Sequence, residues 1–345
     1  MHFYLGLLLL AFVITMALMV PFIGLLYKLK FIRQSETQEI RKDASAAFYK
    51  IREMHAWKAG VPTGGGILVA VVVTVLFALG MTIWKPTGGV LSGFAIGGEL
   101  AVIFLTFVGF GLLGFYDDLI KIFGYAKTGF FGLRMRHKFI IQWIMAIAVA
   151  LLMYLVLGID IVNVPFLGFY LHLEWLYVPL AAFLIVGFAN AFDFTDGLDG
   201  LSCGLLFIFL TAFLVISLTS LDHVLGMFIA LWIGALIAFL YFNIYPARIM
   251  LGNMGGLAFG ATIAVIGLLT GKIVAMLVIG GVFVAEGLSS MIQILGKRFL
   301  HRRVFPIAPL HHWLQLTGWE EPKIVARAWM AGLGLAIFGV WLAML

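Results

Sequence analysis

The chain is 345 residues long, 63% hydrophobic and only 11% charged, with a mean hydropathy of +1.13, 40 glycines and a formal net charge of +6. No soluble domain hides that much apolar surface, so the composition points to a polytopic integral membrane protein. The single cysteine, Cys203, excludes an intramolecular disulfide framework and a cysteine-based metal cluster and reads as a small packing residue.

In chain order, apolar windows long enough to cross about 30 Å of hydrocarbon fall at 3–27, 64–84, 99–116, 138–157, 174–191, 200–218, 223–243, 256–270, 272–296 and 325–344. The first carries no A-x-A-like cleavage site and runs into a basic loop, so it is expected to be a retained helix. The expected fold is therefore all-α, one transmembrane domain over 1–345 with about ten helices and no internal repeat. With the N-terminus outside, the connections 28–63, 117–137, 192–199, 244–255 and 297–324 lie in the cytoplasm. Of the 22 Lys and Arg, all but Lys85 and Lys272 fall in or beside them. That asymmetry supports both the helix count and an orientation with both termini extracytoplasmic. The positive charge faces anionic headgroups or phosphorylated substrates and needs no nucleic acid. Residues 40–58 read either as a basic amphipathic helix on the inner leaflet or as an ordinary topogenic loop.

The unusual polar residues all fall on the cytoplasmic side. Asp117 and Asp118 end the third helix, and Asp193, Asp196 and Asp199 sit where the fifth meets the sixth. Asn243 and Asn253 bracket the next cytoplasmic turn, and His311 and His312 lie in the last one. A transport path would spread polar groups through the bilayer instead. Adjacent Asp117 and Asp118 repel unless compensated, and Lys121 is one turn away. Oxygen-only ligands of this kind suit Mg2+. Asp193, Asp196 and Asp199, spaced by three, would span about 120° of a helix and share one cleft. Helix capping is the alternative, above all for Asp199. Gly197 and Gly200 let backbone approach a ligand.

Ala59-Gly-Val-Pro-Thr-Gly-Gly-Gly66 resembles a phosphate-cradling turn but lacks the lysine-serine ending of a P-loop, and a flexible helix entry explains it equally well. The His311-His312 pair has the wrong spacing for zinc and suits phosphate contact, acid–base work or interfacial packing. Glu286, inside the ninth helix, is expected to face the bundle and pair with a polar neighbour. His2, His172 and His223 are expected outside, with no chemistry assigned. The residues together point to metal-assisted phosphoryl transfer from a water-soluble phosphorylated donor to a membrane-resident acceptor.

Four ordered motifs resemble those of the polyprenyl-phosphate N-acetylhexosamine-1-phosphate transferases: Asp117-Asp-Leu-Ile-Lys121, Asn190-Ala-Phe-Asp-Phe-Thr-Asp-Gly-Leu-Asp-Gly-Leu201, Tyr241-Phe-Asn-Ile-Tyr-Pro-Ala247 and Gly252-Asn-Met-Gly-Gly256. Pro62-Thr-Gly-Gly-Gly66, Ala308-Pro-Leu-His-His312 and Gly318-Trp-Glu-Glu-Pro-Lys323 narrow the likeness to the phospho-N-acetylmuramoyl-pentapeptide transferase branch, from about His55 to Arg327. The resemblance implies Mg2+-dependent transfer of phospho-MurNAc-pentapeptide from its UDP carrier to undecaprenyl phosphate at the bacterial cytoplasmic membrane, giving lipid I and UMP. It implies that Asp117 and Asp118 engage the lipid phosphate and the metal, and that Lys58, Thr63, Asp196, Gly197 and Asp199 line the nucleoside pocket. Asn190, Asn243, Gly252, His311 and His312 match further active-site positions, and Lys121, Lys138 and the histidines would add positive charge.

Departures from the family pattern are reciprocal. Asp193 stands where Asn is usual, and Asn253 where a metal-binding Asp is usual, so either Asp193 takes over part of the coordination, or Asn253 ligates weakly through its amide oxygen, or the enzyme is impaired. Met250 replaces a uracil-stacking Phe and Trp313 a third His. A sister enzyme using UDP-GlcNAc, and a transporter or non-catalytic scaffold, remain as rival readings. The oligomeric state is open, a homodimer included.

Overall fold

The structure, a computed structural model, describes residues 2–33, 46–84, 92–123, 135–165 and 169–345. Lys85, the first part of the segment expected at 40–58, and most of the 117–137 connection lie outside them. The fold is the expected helical bundle: α1 (His2–Lys28), α2 (Ala46–Met54), α3 (Gly65–Trp84), α4 (Ile96–Phe104), α5 (Phe110–Phe123), α6 (Met135–Leu155), α7 (Tyr177–Thr195), α8 (Leu201–Thr219), α9 (His223–Asn243), α10 (Gly252–Leu269), α11 (Ile273–Ile279), α12 (Gly281–Phe299), α13 (Leu310–Leu316) and α14 (Glu321–Met344). A two-stranded antiparallel hairpin, β1 (Ile161–Val164) with β2 (Phe169–His172), interrupts the all-helical pattern between α6 and α7.

Among the described residues nine helices are long and apolar enough to span, ten if the bent pair α11–α12 counts as one. That pair corrects the single helix expected at 272–296, because it bends by 80° at Gly280 and Gly281. Gly280 lies against the ring of Phe188 and the Met276 carbonyl, closer than a side chain tolerates. Beyond the bend α12 buries Glu286, Ser289 and Gln293 and exposes Leu288, Ile292 and Leu295. The third expected helix is longer than its window. A π-helical turn at 105–109 joins α4 to α5, so that Asp117 and Asp118 sit inside the helix rather than at its end.

Burial separates the centre from the rim. The spanning windows of α9 and α10 are 83% and 89% buried within the protein, against 22% for α1 and 28% for α6 and α14, whose apolar faces are left for lipid. Small residues let α10 lie that deep. Gly66 of α3 meets Gly255, Gly260 packs on the backbone of α7 at Phe188 and Ala189, and Gly114 of α5 touches the Asn253 carbonyl. This last contact places the start of α10 one helical turn from Asp118.

Short backbone pairings draw the connections at the end of the bundle that carries Asp118 together. The Arg33 amide donates to Val61 O at 2.9 Å, the Met250 amide to Pro62 O at 2.8 Å and the Gly65 amide to Met250 O at 2.9 Å. Gly252, at φ +81°, packs between Gly64 and the Asp118 carboxylate, a conformation and a space that suit only glycine. Replacing Gly114 by Ala should push α10 off α5, costing about 1–3 kcal/mol; thermal unfolding in detergent checks this, and an unshifted transition would contradict the packing account.

Candidate active site

The last turns of α5, α7 and α9 and the start of α10, four helix ends, converge on one cavity of about 330 Å³. Of the residues singled out in the sequence, Thr63, Asp118, Lys121, Asp193, Asp196, Gly197, Asp199, Asn243, Gly252 and Asn253 line it. Lys58, Asp117, Lys138, Asn190, His311 and His312 are not in its wall and act from behind it.

At one end, Asp118 caps α10 from a neighbouring helix. Its Oδ1 accepts the Asn253 amide and its Oδ2 the Met254 amide, both at 3.1 Å. These are orphan donors of a helix start, where the helix dipole also favours a negative charge. The Asp117 Oδ2 accepts three donors: the Asn253 side-chain nitrogen at 2.6 Å, Lys121 at 3.0 Å and Lys138 at 3.2 Å. A carboxylate only accepts, so the Asn253 amide must present nitrogen to Asp117, leaving its oxygen for a cation. Lys138 also reaches Asp193 Oδ2 at 3.4 Å, so one ammonium bridges Asp117 and Asp193. Asn190 sets that bridge. Its amide donates at 2.8 Å to Gln142 of α6, one turn beyond Lys138, and fixes α6 against α7.

Asp193, Asp196 and Asp199 do not share one helix. Asp193 is in α7, Asp196 follows its last residue, and Asp199 lies in the turn before α8. Asp196 accepts Ser202 Oγ at 2.5 Å, and burial, more than the charge of Asp193, pushes its carboxyl up to about 7. Asp199 does not cap α8, whose first turn is preceded by left-handed Gly200. It accepts Lys58 Nζ at 2.7 Å on one oxygen and the Ala247 amide at 2.9 Å on the other. Glu321, at the start of α14, accepts Lys58 Nζ at 2.6 Å and the Asp199 amide at 2.6 Å through the same oxygen. Asn243 closes the same wall, accepting the Gly200 amide at 3.2 Å and donating to Ile249 O at 3.0 Å. Lys58 is thus fully buried between two carboxylates.

At the far end, Glu286 finds the polar neighbour expected of it in His311. It accepts the His311 amide at 3.1 Å and Nδ1 at 3.1 Å. Against that carboxylate Nδ1 carries a proton, and Nε2 is turned away from Glu286. That Nε2 is buried without a partner and abuts Gly197, where a Cβ would collide with it. His312 and His55 flank it, bridged by Gln315 at 3.0 Å to each. Burial lowers His312 to about 3 and His55 to about 4, so His312 is neutral at pH 7 and supplies none of the positive charge expected of it. Trp313 stacks at a tilt on Phe305, outside the cavity. Met250 lines the cavity and accepts a 3.7 Å contact from Arg33.

Sequence reasoning missed Arg33, Gln142, Ser202, Gln315 and the role of Glu321. Only Glu321 carried a signal, an acid beside a proline at a helix start inside a motif already singled out. Lys58→Met should leave two buried carboxylates uncompensated and cost about 3–5 kcal/mol in the substrate-free protein, read as a lower melting temperature; unaltered melting would return Lys58 to a role in binding alone.

The profile described as glycosyl transferase family 4 matches residues 100–271. The phospho-N-acetylmuramoyl-pentapeptide-transferase of Caldanaerobacter subterraneus is 36% identical over 317 residues, covering 92% of this chain and 91% of its own. That of Bacillus mycoides is 35% identical over 335 residues (96% and 95%), and that of Halalkalibacterium halodurans 36% over 341 residues (97% and 96%). Likeness at this level along nearly the whole of both chains shows that the chain belongs to the phospho-N-acetylmuramoyl-pentapeptide-transferase family.

Proposed function

We propose that the protein transfers phospho-MurNAc-pentapeptide from UDP-MurNAc-pentapeptide to undecaprenyl phosphate at the cytoplasmic face of the bacterial inner membrane, releasing UMP and forming lipid I. The observation that carries this reading is the convergence of Asp118, Asp193, Asn253 and Lys121 on one cavity at one end of an apolar bundle. An oxygen of the lipid phosphate attacks the sugar-bound phosphorus, a new P–O–P linkage forms, and the bond to the UMP oxygen breaks with its electrons passing to UMP. Lys121, partly exposed in the cavity, and Lys138 behind it stabilise the negative charge on the transferring group. The unpartnered Nε2 of His311 offers a hydrogen bond to the donor beside Gly197, and Asp196, its carboxyl pKa raised by burial, faces the nucleoside.

The residues fit Mg2+. Among the described residues no three or more His, Cys, Asp or Glu side chains gather where they could hold a metal ion unaided. Mg2+ does not need such a cage, being commonly held by one or two carboxylates with substrate phosphate and water. Asp118, Asp193 and the Asn253 amide oxygen would hold it, while Asp117, crowded by three donors, keeps the lysines in place. Bound there, the ion would neutralise the pyrophosphate. The reciprocal exchange at 193 and 253 then has a reason. An aspartate at 253 would set a second carboxylate 2.6 Å from Asp117, whereas Asp193 already has Lys138.

Purified protein with undecaprenyl phosphate should release UMP from UDP-MurNAc-pentapeptide only with Mg2+. Release from UDP-GlcNAc alone would move the protein to the sister reaction, and release from neither donor by folded protein would leave a scaffold. Asp193→Asn should lose at least about tenfold in kcat/KM and need more Mg2+, and adding Asn253→Asp should recover most of that loss. Unchanged Mg2+ dependence in Asp193→Asn would contradict the assignment. Light scattering of the detergent-solubilised protein decides between monomer and homodimer.

A further inference from the structure

A second, larger cavity of about 530 Å³ lies beside the first, between α2 and the segment leading into α13. None of the steps above uses it. Arg33 lines both cavities, and His312 in its wall is the immediate neighbour of His311, whose ring abuts Gly197 of the first. The two spaces therefore meet across the Arg33 and histidine wall.

Its chemistry is unlike that of the first cavity. Arg33 and Arg52 are half-buried in its wall, and Glu53, the acidic residue among the described ones there, is exposed. Phe48 and Ile51 give apolar surface, His55 and His312 are neutral, and the Tyr49 hydroxyl is buried without a partner. Two guanidiniums suit carboxylates through paired hydrogen bonds. An orphaned phenol suits an amide carbonyl, and the aromatic and aliphatic faces suit short side chains. Among the described residues no cluster of carboxylates calls for a cation, and the mixture of charge and polarity does not suit a lipid tail. The size is that of an ordinary small-ligand site.

We infer that this cavity is the subsite for the peptide arm of the donor, with Arg52 and Arg33 engaging peptide carboxylate and Tyr49 a peptide carbonyl. The inference rests on the proposed reaction, because only a muramoyl-peptide donor has such an arm. It explains why α2 is folded against α13 although neither lines the cavity that holds the reacting groups.

Calorimetric binding of UDP-MurNAc carrying no peptide, three residues or five, to the full detergent-solubilised chain, tests it without requiring turnover. Wild-type affinity should rise with peptide length. Arg52→Glu should weaken the pentapeptide donor about tenfold or more and the peptide-free donor less than about twofold. Tyr49→Phe should weaken only the peptide-bearing donors, by a few-fold, with an unshifted melting temperature for both variants. Equal weakening of all three donors, or of none, would overturn the subsite. Absence of UMP release in wild type that still binds in this pattern would instead strike the proposed reaction and leave the subsite standing.

Discussion

Everything at the site is positioned by the seat of α10 on the two aspartates of α5. A helix start presents four amides that nothing within the helix satisfies. Here the Asn253 and Met254 amides are met by one carboxylate, Asp118, and the Asn253 side chain by the other, Asp117. The seat is reachable only because Gly114 on α5 lets the Asn253 backbone approach, and because Gly252 adopts a positive φ in the space between Gly64 and Asp118. In turn α10 carries the contacts to α3 and α7 that bring Asp193 and the 62–65 loop to the same cavity.

Charge is handled by the same economy in two places. Lys138 lies between Asp117 and Asp193, and Lys58 between Asp199 and Glu321, each ammonium serving two carboxylates from elements distant in sequence. Lys58 is sealed off, and its network ties the α2 side, the turn before α8, the Ala247 turn and α14 into one frame. Lys138 is closer to the cavity, so its share of charge is available to a phosphate. The histidines divide in the same way: Glu286 orients His311 toward the cavity, whereas His312 and His55, neutral and bridged by Gln315, face the second cavity.

Much of this was legible in the sequence, for identifiable reasons. The helices were readable because a bilayer demands long apolar runs, and the convergence of Asp118, Asp193, Asp196 and Asn253 because alternating loops put them on one side. The break at Gly280–Gly281 was not, since the window stays apolar across it and only packing on Phe188 shows the bend. The extension of α5 past Asp118 was hidden because charge in a window reads as an end of the span. Which aspartates face the cavity and which serve as struts was not legible either. Asp199 and Asp196 both stand before a glycine, yet Asp196 is held by nearby Ser202 and Asp199 by Ala247, Lys58 and Glu321, all far away in sequence. The second cavity was hidden for the same reason, since α2 and α13 meet only in three dimensions.

The seat of α10 is tested most directly by hydrogen–deuterium exchange of the peptide spanning residues 250–257 in wild type and Asp118→Ala. With the carboxylate removed, the amides of Asn253 and Met254 should exchange at least about tenfold faster, while protection of α9 and of the middle of α10 is retained. Unchanged exchange at those two amides would show that the helix start is held by something other than Asp118, and the arrangement of the whole site would need another cause.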